Sequence, residues 1–207
     1  MSIVVEHEKR RSIILEKALD VFVDEGYENT TFQKIADKCK ITRTTLYIYF
    51  KNKREIFNFS IKQFLQILEN QITGICKEKK LNCTEKLIRV MTVIIERLEE
   101  NRSLLSVVLD FLVYTSKGEK DAVDRVRRRT LRMRHIHTAL LIEGIKSVEF
   151  SESINVKDAN ELFHGIIESA IFRLTVLRLD SVDELKESTK LIVRRLVSDK
   201  NPKKDKR

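Results

Sequence analysis

A shortage of helix breakers is the strongest constraint on this chain. Its 207 residues include one proline, Pro202, and five glycines: Gly26, Gly74, Gly118, Gly144 and Gly165. The stretches between them are filled with helix formers. No segment shows the period-two alternation of a half-buried strand. The expected fold class is all-α. A hydrophobic share of 42% can build a buried core, so this is not a disordered chain.

Apolar spacing then places the helices. The first is expected at about 8–25, with Ile14, Ala18, Val21 and Phe22 on one face. Gly26 follows, where a helix end often needs a left-handed residue. Thr30 and Gln33 form a capping-box pattern for a second helix, buried through Ile35 and Ala36. Thr42 suits the N-cap of a third helix ending near Tyr47 to Tyr49. Asn52 and Glu55 form a cap pair for a fourth, which carries Phe57, Ile61, Phe64, Leu68, Ile72 and Ile75. Further helices are expected at about 84–99, 102–116, 119–149, 157–179 and 183–198. The domain division that follows is 1–52, 53–199 and a frayed basic tail at 200–207.

Charge points to the partner. The net charge is +9, which alone is a weak signal for an anionic partner. Its concentration says more. From Thr30 to Arg54 there are seven basic residues (Lys34, Lys38, Lys40, Arg43, Lys51, Lys53, Arg54) and one acid, Asp37. A short, basic helix pair with a hydroxyl-rich second helix is what a DNA major-groove reader needs. The second helix would present Thr42, Arg43, Thr44, Thr45 and Tyr47. Arginine can bond a guanine edge bidentately, and threonine offers a hydroxyl and a methyl to thymine. Leu46 and Phe50 would anchor it. Tyr49, Lys51 and Lys53 sit where phosphates could be held, beside the N-terminus of helix four. Composition alone also allows a solvated basic hairpin in an ordinary helix bundle.

Other classes find no support. Cys39, Cys76 and Cys83 have no metal-ligand spacing and read as reduced thiols. No nucleophile–base pattern or phosphate loop is present, so no enzyme, catalytic residue, cofactor or metal is expected. No apolar stretch approaches the roughly 20 residues that span a bilayer, and no secretory signal opens the chain. The expectation is a soluble cytoplasmic protein with no membrane partner.

Residues Arg11 to Phe57 resemble the DNA-binding domain of the tetracycline-repressor (TetR) family of bacterial regulators. The resemblance rests on the Ile14–Ala18–Phe22 face, Gly26-Tyr27, Thr30-Thr31, Ile35-Ala36, Ile41-Thr42, Leu46-Tyr47, and Tyr49-Phe50 followed by Lys53. It covers about the first quarter of the chain. Beyond that, only length and helix content fit. Two positions depart from the family pattern. Lys40 stands where the family usually has a turn glycine, and a left-handed lysine there costs about 1 kcal/mol or a little more. Thr44 stands where a small residue is common. The resemblance implies an N-terminal three-helix DNA-binding domain with a helix-turn-helix, and a C-terminal helical ligand-binding and dimerisation domain. It also implies a homodimer on a near-palindromic double-stranded operator, with Arg43, Thr44, Thr45 and Tyr47 reading and Thr30, Thr31, Tyr49, Lys51 and Lys53 gripping phosphates.

The helix at 157–179 is apolar around most of its circumference, so it is expected to be buried from two directions. Leu162, Gly165, Ile166 and Ser169 on this helix, with Leu185, Thr189, Ile192 and Leu196 on the next, are the expected dimer interface. The resemblance further implies an effector cavity among the central helices. Phe111, Tyr114, Met133, His137 and Arg173 are the candidate lining. For His137, on the inward face of the 119–149 helix, a hydrogen-bonded core histidine is the favoured reading. For Arg173, a pair across the dimer interface is favoured over an anionic effector. Arg125, Arg128, Arg129 and Arg132 read as a solvated stripe. His135 is at the wrong spacing from His137 for a metal pair.

The function expected is a DNA-binding regulator: a repressor released from its operator by a small-molecule effector. The alternative is a DNA-binding protein governed by a partner protein or acting without a small ligand.

Overall fold

The computed structural model describes residues 3–116 and 120–198; within them the side chains of 3, 4, 114–116, 120–127, 129 and 130 are not described. Gly118 and the tail at 200–207 lie outside the described residues. Among the described residues there are nine helices and no strand. They are α1 (Ile3–Asn29), α2 (Phe32–Cys39), α3 (Arg43–Tyr49), α4 (Lys53–Lys77), α5 (Cys83–Glu100), α6 (Arg102–Ser116), α7 (Lys120–Lys146), α8 (Val156–Thr175) and α9 (Asp183–Leu196). The all-α expectation holds.

Helix ends follow from local chemistry. Gly26 breaks α1, with φ 75° and ψ 166°. A Cβ there would meet nothing within 4 Å, so the requirement is backbone conformation and not space. The cap of α2 is Thr31, not Thr30: the Thr31 hydroxyl accepts from the Lys34 N–H at 3.2 Å. Gln33 donates to Asp37 and takes no part in the cap. Asn52 caps α4 by accepting from the Glu55 N–H at 2.8 Å, and the Glu55 carboxylate accepts from the Lys51 N–H. At the far end of α8, the Val176 and Leu177 N–H groups both donate to the Phe172 carbonyl. Arg178 is left-handed, so the helix stops at Thr175, short of the expected 179.

Contacts divide the chain into two compact units. The first is Met1–Asn70 with Ser103–Tyr114; the second is Gln71–Arg102 with Thr115–Arg207. A division at 52/53 misses this because two later aromatic side chains complete the first core. Phe57 from α4 and Phe111 from α6 have ring centroids 4.6 Å apart. Phe57 lies 4.8 Å from Phe22 and 5.1 Å from Tyr27, and Phe111 lies 4.6 Å from Tyr27. Edge-to-face rings of this kind add packing energy beyond their buried area.

In the second unit α5 packs against α7, α8 and α9. An Asn82–Glu85 capping box opens α5. The Glu149 carboxylate also accepts from the Cys83 and Thr84 N–H groups, both at 2.8 Å. An acid at a helix N-terminus satisfies orphan donors and meets the positive end of the dipole. After α7 the chain folds back so closely that a Cβ on Gly144 would stand 2.2 Å from the Phe150 ring. Only glycine fits there.

Candidate DNA-binding interface

The turn between α2 and α3 is held by backbone. Lys40 is left-handed at φ 57°, ψ 44°, the conformation in which glycine has no steric cost. Its N–H donates to the Asp37 carbonyl and the Ile41 N–H to the Ala36 carbonyl, each at 3.0 Å. These bonds take up carbonyls that the end of α2 leaves unpaired. The lysine therefore adopts the turn a glycine would make.

α3 is anchored by two fully buried side chains, Leu46 and Phe50. Thr42 caps it: its Oγ1 accepts from the Thr45 N–H at 3.0 Å and lies 2.8 Å from Thr45 Oγ1. Thr45 is thus half-buried and engaged within the helix. Thr42, Arg43, Thr44 and Tyr47 face solvent. The Tyr47 ring stacks on Phe32 at 4.6 Å. Arg43 Nη2 donates to the Tyr47 hydroxyl at 3.2 Å, with the guanidinium 5.7 Å from the ring centroid. A row of Phe32, Tyr47 and Arg43 orients the arginine at the head's surface. Ile48 is 70% exposed on the same helix. Sequence reasoning missed it, although its place four residues after Thr44 was readable.

The gripping set changes more. Thr30 is 1% exposed, and its hydroxyl donates to the Gly26 carbonyl at 2.7 Å. It locks the end of α1 and is closed to phosphate, whereas Thr31 is exposed. Lys53 also turns inward. Its Nζ donates to the Tyr27 and Glu28 carbonyls at 2.8 and 2.9 Å and lies 4.7 Å from the Tyr27 ring centroid. Burial lowers its pKa, and Glu28 opposes that shift. Its placement is that of a brace for the α1 terminus. Lys51 is exposed, and Tyr49 is half-buried and stacked on His7 at 4.5 Å. The local charge is also less extreme than the sequence window suggested. Glu25 pairs with Lys34 at 2.6 Å, and Asp24 with Lys38 at 3.9 Å. Both acids stand just upstream of the counted segment.

The other predicted residues separate. Phe111 is part of the first unit's core. The Tyr114 side chain lies outside the described residues. Met133 is half-buried on α7. His137 is wholly buried, as a core histidine would be, but neither ring nitrogen makes a hydrogen bond of normal geometry. Burial, then His164 and Arg134, push its pKa down to about 3. Arg173 pairs with Glu184 of its own chain at 3.1 Å. Among the predicted interface residues, Ile166, Leu185 and Thr189 are buried in the second unit, because the inner side of each helix is the side that α5 and its neighbours cover. Ile192 and Leu196 are half-buried, Ser169 is half-buried, and Leu162 and Gly165 are exposed. The outward stripe of α8 continues through Phe172 and Val176, which are 52% and 61% exposed. Of the arginine stripe, Arg128 and Arg132 are exposed, and the Arg125 and Arg129 side chains lie outside the described residues.

A capped α2, a tight turn and a short α3 with outward polar side chains define a helix-turn-helix DNA-binding regulator. Residues 14–58 match the family model described as bacterial regulatory proteins, tetR family. Over that span the chain carries the DNA-binding domain of the TetR family of transcriptional regulators. It is 26% identical over 162 residues to the fatty acid metabolism regulator protein of Bacillus subtilis strain 168, covering 76% of this chain and 79% of that one. A TetR transcription regulator from Haloarcula marismortui has the same fold, with TM-score 0.79 and 17% identity over 92% of this chain and all of that one. The transcriptional regulator FadR of Bacillus subtilis, solved with stearoyl-CoA, has TM-score 0.67 and 24% identity over 89% of this chain and 96% of that one. The relatives carry the names of regulators, not enzymes. Among the described residues no helix is long and apolar enough to cross a membrane.

Proposed function

We propose that this regulator is a homodimeric repressor that holds a near-palindromic operator and leaves it when a small-molecule effector binds. The observation that carries the DNA reading is the outward face of α3. Arg43, Thr44, Tyr47 and Ile48 are all exposed on a helix anchored by Leu46 and Phe50. Arg43 and Thr44 are suited to base edges, and Ile48 to a thymine methyl. Thr31, Tyr49 and Lys51 take the phosphate contacts, with Thr30 and Lys53 bracing the head behind them.

The dimer reading rests on α8. Leu162, Gly165, Ser169, Phe172 and Val176 recur at helical spacing on its outer side, and Leu191 of α9 is 60% exposed. A row of large apolar side chains around a glycine and a serine suits close approach of a second helix, and twofold pairing is the commonest oligomer. The two α3 helices would then sit about 34–36 Å apart to reach successive major grooves.

The effector proposed is a long-chain acyl-CoA. Support comes from the fatty acid metabolism regulator among its relatives and from the stearoyl-CoA bound to a protein of the same fold. An effector acts by binding better to a conformation whose reading heads no longer match the operator. Selection of bound fragments from the source genome, with and without stearoyl-CoA, tests the whole reading. Enrichment of one near-palindrome that disappears with the ligand is expected. A palindrome retained at saturating acyl-CoA would remove the effector, and sequence-independent binding would remove the repressor.

A further inference from the structure

The second unit hides polar groups where its surroundings are apolar. His137 of α7 is wholly buried, and Asn160 and His164 of α8 are 6% and 4% exposed. Both ring nitrogens of His137, Nε2 of His164 and Oδ1 of Asn160 have no hydrogen-bond partner. The two imidazole centroids are 5.9 Å apart, and the Phe163 ring lies 5.6 Å from His137. Asn160 and His164 are four residues apart, so they share one face of α8. The Asn160 amide is fixed: its Nδ2 donates to the Arg134 carbonyl at 2.9 Å and to Thr138 Oγ1 at 2.6 Å. The Asn160 side chain also lies near enough to His137 to oppose the fall in that ring's pKa, but its Oδ1 makes no hydrogen bond of normal geometry.

Such groups are costly. A buried donor or acceptor without a partner costs about 1–3 kcal/mol, and cores contain few. Here four such atoms gather along one seam between α7 and α8. Leucine at 137 would pack without that cost.

The surroundings define what the seam can hold. The Arg134 guanidinium, paired with Glu161, is the cation that acts on both rings. Glu161 and Glu168 oppose it at His164. A metal dication would meet Arg134 and no carboxylate ligand from the three residues. A charged organic group would be stripped of water with no counter-charge among them. A neutral imidazole offers one donor and one acceptor, and the amide oxygen offers an acceptor. These match a carbonyl oxygen and an amide N–H.

We propose that His137, Asn160 and His164 form a binding site for the uncharged carbonyl or amide group of a small molecule that carries an apolar chain. This rests on the reading of the chain as an effector-released repressor and assigns the seat of that effector's uncharged thioester carbonyl and neighbouring amide, not of its phosphates. The ligand's carbonyl accepts from an imidazole N–H, and an amide N–H donates to Asn160 Oδ1. Because all three side chains are closed off, α7 and α8 part to admit it. The bound and free states of the seam then differ, as release from DNA requires.

The test uses the full chain with stearoyl-CoA as probe, measured by calorimetry and by DNA release. His137→Leu and His164→Leu are expected to melt higher than the unsubstituted protein when free. They should bind stearoyl-CoA roughly tenfold more weakly or worse, and hold DNA as before without it. His137→Gln, which keeps a donor and an acceptor, should recover part of the binding. Side-chain nitrogen resonances of His137 and His164 should move when stearoyl-CoA is added. Binding within twofold of the unsubstituted protein in all three variants, or resonances that stay still while the ligand binds, would overturn the site and leave the effector reading standing. If stearoyl-CoA fails to bind the unsubstituted protein, the acyl-CoA reading falls and the site falls with it.

Discussion

The two units treat polar side chains in opposite ways. On α3 the polar groups lie outside and hold one another: Thr42 with Thr45, Arg43 with Tyr47. In the second unit His137, His164 and Asn160 lie inside with unpaired atoms, while Leu162 and Phe172 of α8 and Val176 at its C-cap lie outside. A surface that meets a polyanion gains from side chains already oriented, because less is lost in ordering them on binding. A surface that meets a second protein copy or an apolar ligand gains from exposed hydrocarbon and from polar groups awaiting a partner.

The comparison can be broken first at the anchors. Leu46→Ala removes a fully buried side chain from beneath α3 and should lower stability by about 2–5 kcal/mol. Chemical denaturation should show that loss in the first unit. Equal loss of near-native signal from α8 would mean that the units do not melt apart. Gly144→Ala is the counterpart in the second unit, where the new methyl would strike Phe150. A cost of about 1–3 kcal/mol is expected, with DNA binding retained in the folded fraction. Lys53→Met tests the brace. It removes two charge-assisted bonds to the end of α1 and should destabilise the head by about 1–3 kcal/mol. Its salt slope for DNA should change less than that of Lys51→Met. A larger change in slope for Lys53→Met would return Lys53 to the phosphate contacts.

A finer test uses pH. An unfolded His137 binds its proton near the ordinary value of 6.5, and the folded ring only near about 3. Between those values the unfolded chain holds the extra proton. Proton uptake by the unfolded ring therefore costs nothing above pH 6.5 and lowers stability progressively as pH falls towards 3. In His137→Leu that part of the decline should vanish, as read from melts across pH 3.5–7. The smallest effect is expected at the turn. Lys40→Gly relieves a left-handed lysine and should stabilise the head by about 1 kcal/mol. An unchanged or lower melting point would show that the turn carries no such strain.

These residues also show what a sequence can disclose. Gly26, Thr42 and Asn52 are punctuation, and each acts within four residues of itself. The helices they bound were readable, and so was the outward face of α3. Thr30 and Thr31 are adjacent hydroxyls with equal local claims to the cap. Only the carbonyl of Gly26 decides that Thr30 turns inward. Lys53 meets carbonyls more than twenty residues away, which no local spacing reveals. Leu185 and Thr189 belong to the one clear apolar stripe of α9, which spacing alone reads as an interface, but its own unit covers that stripe first. The unpaired state of His137 depends on what fails to reach it, and a sequence does not record that.

Thr44 and Ile48 are exposed on a helix whose hold on the head comes from Leu46 and Phe50. Substitutions at such outward positions usually change stability by less than about 0.5 kcal/mol. The address this regulator recognises can therefore drift over generations, or be rewritten by design, with the scaffold beneath it left as it is.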